Sequence, residues 1–452
     1  MPSKKQTQRV AVLADSDTRW KWGALTAQRI VAAEGARDFA GAEETDIRLD
    51  GFLLRGRATP TARQLREVGV RVDDLREVTG VEFLRAMELG PSDEEFEGYD
   101  VVVLALVGGA VQAMLHGLAR VWQGRARRPV VVTGYVGVVY EKLADGLLLR
   151  HGADVVLANS RQDAERFRAV YEGVGADAGA VTECALPFLG GAPYAAGSAP
   201  YTVCFAAQPS VPESRADRTY LLKRMIRHAE LHPEREVLIK LRSKPGEHTT
   251  HIEEHPYQKL AQRHELPPNC RLVYGHMGEV LDRTDLLVTV SSTAALEALH
   301  RRIPTAVLTD LGVREALGNH HFTGSGCLAS WTQLDEGFVP EPDEEWLARQ
   351  GVAADGSYAT AFDRARTRIA DLLAKPQLPP LAPYYTLTTA PGYLPGILAR
   401  HHLAPDGSPL PGAPAAAKEP GPVRQIVRQA ARGAYRHGVQ RVAPVIRRMG
   451  EL

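Results

Sequence analysis

The feature that most constrains the fold of this chain is a repeated alternation of short apolar runs with amphipathic stretches. Apolar runs of about four to eight residues, bounded by turn residues, are typical of buried strands. Strands that alternate with amphipathic helices favour βα units and a parallel sheet. The sequence therefore predicts a protein of the α/β class.

The alternation occurs in two series, each long enough for one doubly wound domain. The first series contains the candidate strands "RVAVLA" (9–14), "RLDGFLLR" (48–55), "DVVVLAL" (100–106), "PVVVTG" (129–134) and "DVVLAN" (154–159). The second contains "YTVCFAAQ" (201–208), "EVLIKLR" (236–242), "CRLVYG" (270–275), "DLLVTV" (285–290) and "TAVLTD" (305–310), with a helix over about 215–232.

An uncharged stretch rich in Pro, Gly and Ala, at 186–200, separates the two series and is typical of a linker. The 452 residues also exceed the roughly 250 to 300 residues at which a single core stops growing. We therefore predict two Rossmann-like domains that face each other across a cleft, an N-terminal acceptor-side domain at 1–190 and a donor domain at 200–375. The Pro/Gly/Ala-rich segment 376–422 is predicted to be a flexible linker.

The last segment, 423–452, has seven arginines and one glutamate. Four of the arginines stand four residues apart, which places them on one helix face: Arg424, Arg428, Arg432 and Arg436. This pattern predicts a basic amphipathic helix that lies on an anionic membrane surface. A solvated tail or a contact between subunits remains the alternative.

Charge and cysteine usage limit the compartment and the partners. The chain carries 54 basic and 54 acidic residues, which argues against a nucleic-acid-binding protein. Its four cysteines lie far apart, without the spacing of zinc ligands, as is typical of reduced thiols in the cytoplasm. The N-terminus enters a strand directly, and the most apolar stretch, 101–115, is shorter than the ~20 residues that span a bilayer. We expect a cytoplasmic protein, peripheral on the inner face of the membrane if its tail binds there.

The segment "VTVSSTAALEAL", 288–299, ends a predicted strand with three hydroxyl side chains and then continues with helical spacing. The start of a helix offers unpaired N–H groups, and hydroxyls at this junction add donors for a phosphate. Helix capping alone requires one hydroxyl. Ser291, Ser292 and Thr293, followed by Glu297 within the helix, therefore predict an anion site.

The run "SSTAALEAL" followed by "HRRIPTAVLTD" resembles the nucleotide-binding half of GT-B glycosyltransferases, and is most similar to bacterial capsule and polysialyl-type transferases. The resemblance implies that Ser291, Ser292 and Thr293 hold the donor phosphate and that Glu297 accepts a ribose hydroxyl. It also implies a nucleotide-sugar substrate, with no cofactor and no metal. The His-Pro motif of that family is altered here to "IKLRSKPGEHTTHIEEHPY", so the base of the nucleotide stays open.

Three cations near this altered motif form a second part of the predicted donor site. Lys240, Arg242 and Lys244 alternate along the end of a strand and therefore share one face. Open α/β sheets bind ligands beyond the carboxyl ends of their strands. Without a metal ion, such cations would stabilise the departing phosphate. An exposed basic strand end is the alternative.

In the first half, "VLADSDTRWKWGA" places Asp15 and Asp17 after the first strand, without the glycine pattern of a dinucleotide site. Either carboxylate could act as general base for an acceptor hydroxyl, with Asp17 the first choice. Helix capping by aspartate is the alternative.

A later loop, "TGYVGVVYEK", puts two glycines around a tyrosine directly after a strand. It yields candidate acceptor contacts at Gly134, Tyr135, Gly137 and Glu141, although a structural turn would explain the same pattern. The pair His320 and His321 has no third ligand at suitable spacing, so we predict no metal site.

These patterns favour an inverting, metal-independent glycosyltransferase that moves a sugar from a nucleotide donor to a cell-envelope polysaccharide or lipid-linked acceptor. A nucleotide-sugar 2-epimerase is the second hypothesis, because it shares the two-domain plan. A non-catalytic nucleotide-sugar-binding protein is the third.

Overall fold

The structure is a computed structural model that describes residues 7–31, 47–56, 58–88, 98–137, 142–197, 200–244, 247, 253–352 and 357–413. Two predictions, the basic helix at 423–452 and the acceptor contact at Glu141, lie outside the described residues. The described chain divides into two compact units. Unit 1 contains the residues up to Phe188 and those from Arg349 onward, and unit 2 contains Leu189–Ala348.

Unit 1 contains a seven-stranded sheet within the described residues. Its strands are β1 (Gln8–Ala14), β2 (Ile47–Leu54), β3 (Asp74–Val78), β4 (Val101–Ala105), β5 (Val130–Gly134), β6 (Val155–Ala158) and β7 (Val181–Glu183). The strand order is β3-β2-β1-β4-β5-β6-β7, and all neighbouring strands are parallel. The order reverses between β1 and β4, so ligands are expected beyond the carboxyl ends of these two strands.

The helices of unit 1 connect and cover these strands. They are α1 (Asp17–Val31), α2 (Ala62–Val68), α3 (Gly80–Ala86), α4 (Gly108–Val121), α5 (Leu143–Leu148) and α6 (Arg161–Gly173). The strands β4, β5 and β6 are buried along their whole length because helices lie on both faces of the sheet. Trp20 and Trp22 of α1 are fully buried in one of the two hydrophobic cores of unit 1.

Unit 2 contains a six-stranded parallel sheet within the part of the chain that the structure describes. Its strands are β8 (Thr202–Ala206), β9 (Glu236–Lys240), β10 (Cys270–Val273), β11 (Leu286–Thr289), β12 (Thr305–Leu308) and β13 (Leu328–Ala329). Its helices are α7 (Arg215–Leu231), α8 (Tyr257–Ala261), α9 (Met277–Leu281), α10 (Ala294–His300), α11 (Trp331–Asp335) and α12 (Glu344–Arg349). The order β10-β9-β8-β11-β12-β13 reverses between β8 and β11. The two doubly wound units confirm the predicted α/β fold class.

The chain returns to unit 1 after unit 2, which corrects the predicted domain boundaries. Residues 349–375 were assigned to the donor domain and 376–413 to a flexible linker, but both belong to unit 1. Helix α13 (Asp363–Leu373) buries Ile369 and Leu372 in the same core as the tryptophans of α1. Helix α14 (Leu394–Ala399) packs on α4 through buried leucines. The apolar faces of these helices, rather than the Pro and Gly content around them, decide the boundary.

The described helices include none that is long and apolar enough to cross a membrane. All four cysteines are buried and free, and burial raises the pKa of each thiol. None of them is therefore placed as a reactive nucleophile.

Candidate functional site

The loops after β8 and β11 meet at the switch point of unit 2 through one glutamine. The Gln208 side-chain oxygen accepts the backbone N–H of Ser291 at 3.0 Å, and its amide nitrogen donates to the Ser291 hydroxyl at 3.2 Å. Thr289, the last residue of β11, donates its hydroxyl to the Ala206 carbonyl of β8 at 3.0 Å. The two loops that would hold a ligand at this edge are therefore fixed relative to each other.

The three predicted phosphate-binding hydroxyls have different surroundings. Ser291 is buried, and its hydroxyl donates to the Leu317 carbonyl oxygen at 2.6 Å. The Ser292 hydroxyl accepts the N–H of Ala294 at 3.2 Å, so this side chain caps α10. Thr293 is half-buried, and its side chain makes no capping hydrogen bond to the helix. A hydroxyl has one proton to donate, so Ser291 holds the loop while Ser292 and Thr293 keep a donor for a ligand.

Glu297 and the predicted cations show a gradient of exposure. Glu297 lies in α10 and is buried, as is Lys240 at the end of β9. The Lys240 ammonium donates to the Leu241 carbonyl at 2.8 Å. Arg242 is half-buried and Lys244 is exposed, with its ammonium 5.7 Å from the centre of the Tyr274 ring. Arg242 and Lys244 are therefore the predicted cations that reach the edge.

A buried arginine that the sequence analysis did not select organises the neighbouring loops of unit 2. Arg218 of α7 is 1% exposed and donates to four backbone carbonyls and one carboxylate. Its Nε donates to the His255 carbonyl at 2.7 Å, and its guanidinium also donates to the carbonyls of Gln208, Pro209 and Pro212 and to the Glu253 carboxylate. The altered His-Pro segment is thus tied to the loop after β8. This contact gives that segment a structural role.

Asp15 and Asp17 both follow β1 at the switch point of unit 1, but their surroundings differ. One Asp15 oxygen accepts Arg19 at 2.9 Å, and the other accepts the Val107 N–H at 2.9 Å. Asp15 therefore joins the loop after β1 to the loop after β4. Asp17 is the half-buried first residue of α1, and its carboxylate accepts the Thr18 hydroxyl at 3.4 Å. Asp17 stays the proposed general base because it lies half-buried directly after the end of β1.

The predicted acceptor loop is held from beneath by a second buried arginine. Arg150 donates to the carbonyls of Leu106, Gly134 and Gly146, and its guanidinium lies 3.9 Å from the centre of the Tyr135 ring. Burial lowers the pKa of Arg150. A Cβ at Gly134 would lie 2.8 Å from the Trp22 ring, so close packing alone requires a glycine here.

Asn159 supports the same loop. Its amide donates to the carbonyls of Tyr135 and Gly137, at 2.7 and 3.1 Å. Tyr135 is half-buried, and its hydroxyl donates to the Leu143 carbonyl at 3.4 Å. Tyr135 and Gly137 therefore have a structural role in a fixed loop. Their predicted contact with an acceptor stays a proposal.

The returning C-terminal segment brings a histidine to the same edge of unit 1. His401 follows α14, and its carbonyl would lie 3.5 Å from a Cβ added at Gly80 of α3. Burial lowers the pKa of His401, and the charge of Asp15 partly offsets that effect. No local pattern in the sequence connects these residues, because His401 and Asp15 are nearly the whole chain apart.

The structure assembles one group with metal-ligand chemistry among the described residues: His228 of α7, His232 directly after α7, and Asp335 of α11. The Nδ1 of His228 lies 2.7 Å from the Asp335 carboxylate, and the Nε2 of His232 lies 3.2 Å from the Asp335 carbonyl. Arg224 also donates to this carboxylate at 2.8 Å, and Arg235 approaches His228. The positive charges of Arg224 and Arg235 disfavour a metal cation at this position. The group therefore fits a set of hydrogen bonds that joins α7 to α11.

The adjacent residues His320 and His321 have different surroundings in the structure. His321 is buried against Phe322 and Trp346, with ring centres 5.2 and 5.9 Å apart, whereas His320 is exposed. The segment nevertheless lies next to the donor loop, because Leu317 just before it accepts the Ser291 hydroxyl.

A family model described as "Putative glycosyltransferase (DUF6716)" matches residues 10–372. The chain belongs to this family. The membership agrees with the GT-B resemblance of the donor motif and identifies the enzyme class as a nucleotide-sugar-dependent glycosyltransferase. The matched range begins within β1, covers the other twelve strands of the described residues and ends within α13.

Solved structures with a similar fold include glycosyltransferases and epimerases. S. aureus MnaA, solved with UDP, is 11% identical with a TM-score of 0.47, and the alignment covers 80% of this chain and 95% of MnaA. UDP-GlcNAc 2-epimerase from Neisseria meningitidis, bound to UDP-GlcNAc, is 10% identical with a TM-score of 0.47, covering 81% and 99%. The spinosyn rhamnosyltransferase SpnG is 14% identical with a TM-score of 0.41, covering 80% and 96%. Among curated proteins, none matches the chain.

Proposed function

We propose that this glycosyltransferase moves a sugar from a nucleotide donor to a hydroxyl of a cell-envelope polysaccharide or lipid-linked acceptor, with inversion and without a metal ion. Unit 2 binds the donor and unit 1 binds the acceptor. The enzyme is cytoplasmic, and its segment 423–452 holds it on an anionic membrane surface next to the acceptor.

One observation carries the donor assignment, the junction of Gln208 and Ser291 at the switch point of unit 2. Ligands of open α/β sheets bind at such a point. The junction uses the Ser291 hydroxyl internally and leaves the hydroxyls of Ser292 and Thr293 for the donor phosphate. Arg242 and Lys244, which follow the neighbouring strand β9, supply positive charge. Glu297 and Lys240 are buried and support this edge.

The transfer step needs a base for the acceptor hydroxyl and a stabilised leaving group. In the proposed step, the acceptor O–H gives its proton to the Asp17 carboxylate, and the acceptor oxygen forms a bond to the anomeric carbon. The bond between that carbon and the phosphate oxygen breaks, and the nucleotide leaves with the electron pair. Arg242, Lys244 and the hydroxyl donors stabilise its developing charge. Asp15 holds the loop that carries Asp17.

The first experiment measures nucleotide binding, using thermal shift with UDP, GDP, CMP and their sugars. The parent protein is expected to be stabilised by one base, and a Ser292→Ala, Thr293→Val double variant to bind that nucleotide about 10- to 100-fold more weakly, because it loses donors to a charged group. Ser330→Ala is the matched control, since Ser330 caps α11 through the same kind of bond. Equal binding by the double variant and the parent would contradict the donor assignment.

The second experiment follows nucleotide release with and without an acceptor extract. Release that depends on the acceptor supports transfer. Conversion of the nucleotide sugar to an isomer without acceptor would establish the epimerase instead, and binding with neither reaction would establish a binding protein. Excess chelator is expected to leave the rate unchanged, and a loss that Mg²⁺ or Mn²⁺ restores would contradict metal independence.

The membrane proposal is tested on the full chain by flotation with vesicles that contain anionic lipid. The four-arginine stripe at 424, 428, 432 and 436 is replaced by glutamine in the control variant. The proposal is supported if the parent floats with anionic vesicles but not with neutral ones, and if the variant floats with neither. Equal flotation of the two proteins would contradict it.

A further inference from the structure

The C-terminal segment from Tyr384 to Leu403 forms a fixed part of the unit 1 surface. Leu394 and Leu398 of α14 are fully buried in a core of this unit. The Tyr385 carbonyl lies 3.0 Å from His116 Nε2 and accepts Gln112 at 3.4 Å, both on α4. The segment is therefore held by apolar packing and by hydrogen bonds to a buried helix.

Two tyrosines of this segment converge on a single carboxylate. The Tyr385 hydroxyl donates to Asp145 at 3.2 Å, and the Tyr393 hydroxyl lies 3.4 and 3.5 Å from its two oxygens. The two ring centres are 5.2 Å apart at an interplanar angle of 71°. Tyr393 is 42% exposed, so a large part of this residue is accessible to solvent next to the carboxylate.

The turn between the two tyrosines keeps them in place. The backbone N–H of Thr386 donates to the Thr389 hydroxyl at 2.9 Å, and the N–H of Thr389 donates back to the Thr386 hydroxyl at 3.1 Å. The Thr386 carbonyl also accepts the Ala390 N–H at 2.8 Å. A surface that is ordered before binding loses little conformational entropy when a ligand arrives.

The position of Asp145 connects this surface to the predicted acceptor loop. Asp145 lies in the first turn of α5, which follows the loop after β5. Tyr135 of that loop donates its hydroxyl to the carbonyl of Leu143, the first residue of α5 and two residues before Asp145. The tyrosine pair therefore lies beside the edge of unit 1 to which the proposed function assigns the acceptor.

The chemistry of this surface suits a carbohydrate. A tyrosine ring offers an apolar face to the C–H groups of a sugar, and its hydroxyl keeps a polar tip. A carboxylate has about four acceptor positions, so Asp145 can accept sugar hydroxyls in addition to the two phenols. Burial and the Asp145 charge raise the pKa of Tyr385 to about 12, so its phenol stays protonated and donating. The negative carboxylate opposes an anionic lipid or an acidic sugar.

We propose that Tyr385, Tyr393 and Asp145 form a subsite that binds a neutral, hydroxyl-bearing sugar residue of the acceptor. This inference rests on the proposed function, which places the acceptor on unit 1. The tyrosine rings hold the apolar side of the sugar, and the Asp145 carboxylate accepts one of its hydroxyls. The subsite selects neutral over acidic glycans and positions the acceptor without taking part in bond cleavage.

The test uses the full chain and the variants Tyr393→Ala and Asp145→Asn. Tyr220→Ala is the matched control, because Tyr220 of unit 2 is also exposed and also donates to a carboxylate, Asp310 at 3.0 Å. Direct binding of neutral and acidic oligosaccharides is measured by ligand-observed NMR without donor. The parent and Tyr220→Ala are expected to bind neutral glycans, with about tenfold weaker binding in Tyr393→Ala.

In the transfer assay, Tyr393→Ala and Asp145→Asn are expected to raise the acceptor KM about tenfold while kcat and nucleotide binding stay within about twofold. An unchanged acceptor KM in both variants, with normal transfer, overturns the subsite and leaves the proposed function intact. A parent that binds none of the neutral glycans also overturns it. If the parent protein shows no nucleotide binding and no transfer, the proposed function is contradicted instead. The glycan-binding assay contains no donor, so it tests the subsite separately.

Discussion

Replacement of Arg218 by leucine tests how the loops at the carboxyl edge of the unit 2 sheet are held in place. The guanidinium is buried and donates to four carbonyls and to the Glu253 carboxylate. Removal of one partner from a buried ion pair costs about 3 to 5 kcal/mol. Glu253 is half-buried and keeps the charge of Arg242 nearby, but four backbone carbonyls also lose their donor in this variant. We expect Arg218→Leu to lose about that much local stability.

Hydrogen exchange is the suitable measurement, because a chain with two units need not unfold in one step. A loss of about 3 to 5 kcal/mol corresponds to faster exchange by a factor on the order of 10² to 10⁴ where opening is local. The change is expected in the peptides that cover the loop after β8 and the segment before α8. Peptides of unit 1 serve as the internal control. Nucleotide affinity should fall too, since the carbonyl of Gln208 loses its donor.

Two further variants separate charge from geometry. Arg218→Lys keeps the positive charge next to Glu253 but cannot serve several carbonyls at once, so an intermediate loss is expected. The double variant Arg218→Leu, Glu253→Gln should recover part of the stability, since no buried charge is left unpaired. A loss below about 1 kcal/mol in Arg218→Leu, or strict additivity of the two single changes, would refute this explanation of the edge.

The pH dependence of this loss follows from Glu253. Burial raises the pKa of Glu253 above its usual value, and Arg218 opposes that effect. Without Arg218, the folded-state pKa rises further, so the stability linked to this group is present below about pH 4.5 and is lost as pH rises through the folded-state pKa. The deficit of Arg218→Leu relative to the parent should therefore grow as the pH rises above about 4.5.

Three other predictions test separate parts of the molecule. Asp17→Asn should lower the transfer rate about 10²- to 10⁴-fold without weaker nucleotide binding, and a parallel loss of binding would contradict its role as base. Ser291→Ala should cost about 1 to 3 kcal/mol of stability, whereas Thr293→Val should mainly weaken nucleotide binding; the reverse pattern in denaturation and binding assays would contradict their assignment. Burial lowers the pKa of His228 in the folded state. The stability that the neutral imidazole contributes should therefore be fully present above about pH 6.5 and be lost as the pH falls through the lower folded-state pKa. Thermal melts of the parent and of His228→Gln at several pH values check this sign.

The sequence predicted the sheets well because most of their strands are buried on both faces. All ten candidate strands are present within the described residues, and the predicted helix at 215–232 is α7. The three strands that were not predicted are short or charged and lie at or next to a sheet edge, namely β3, β7 and β13. Strand β3, "DLREV", is largely exposed, so it has no continuous apolar run to detect.

The candidate site was predictable in position but not in the role of each side chain. Chain order and strand ends placed Asp15, Asp17 and the hydroxyl run at the two switch points, where the structure has them. The separation of Ser291 from Thr293 depends on Leu317, a carbonyl 26 residues away that only the fold brings to this serine. Likewise, Asp145 and Tyr393 are 248 residues apart, and each alone is an ordinary surface residue type.

Both units use a buried arginine to hold the carbonyls at their ligand-binding edges, Arg150 in unit 1 and Arg218 in unit 2. Arginine is rarely buried and is common on the exposed faces of helices. A sequence pattern therefore predicts that Arg150 and Arg218 are exposed to solvent. Their effects on charge differ. Arg218 donates to the Glu253 carboxylate, which also lies near the charge of Arg242. Arg150 donates to three backbone carbonyls, and its charge lies near Asp15 and Arg19. Asp15 accepts Arg19 and the Val107 N–H, so it holds the two loops together, and Asp17 remains the proposed acceptor of the proton.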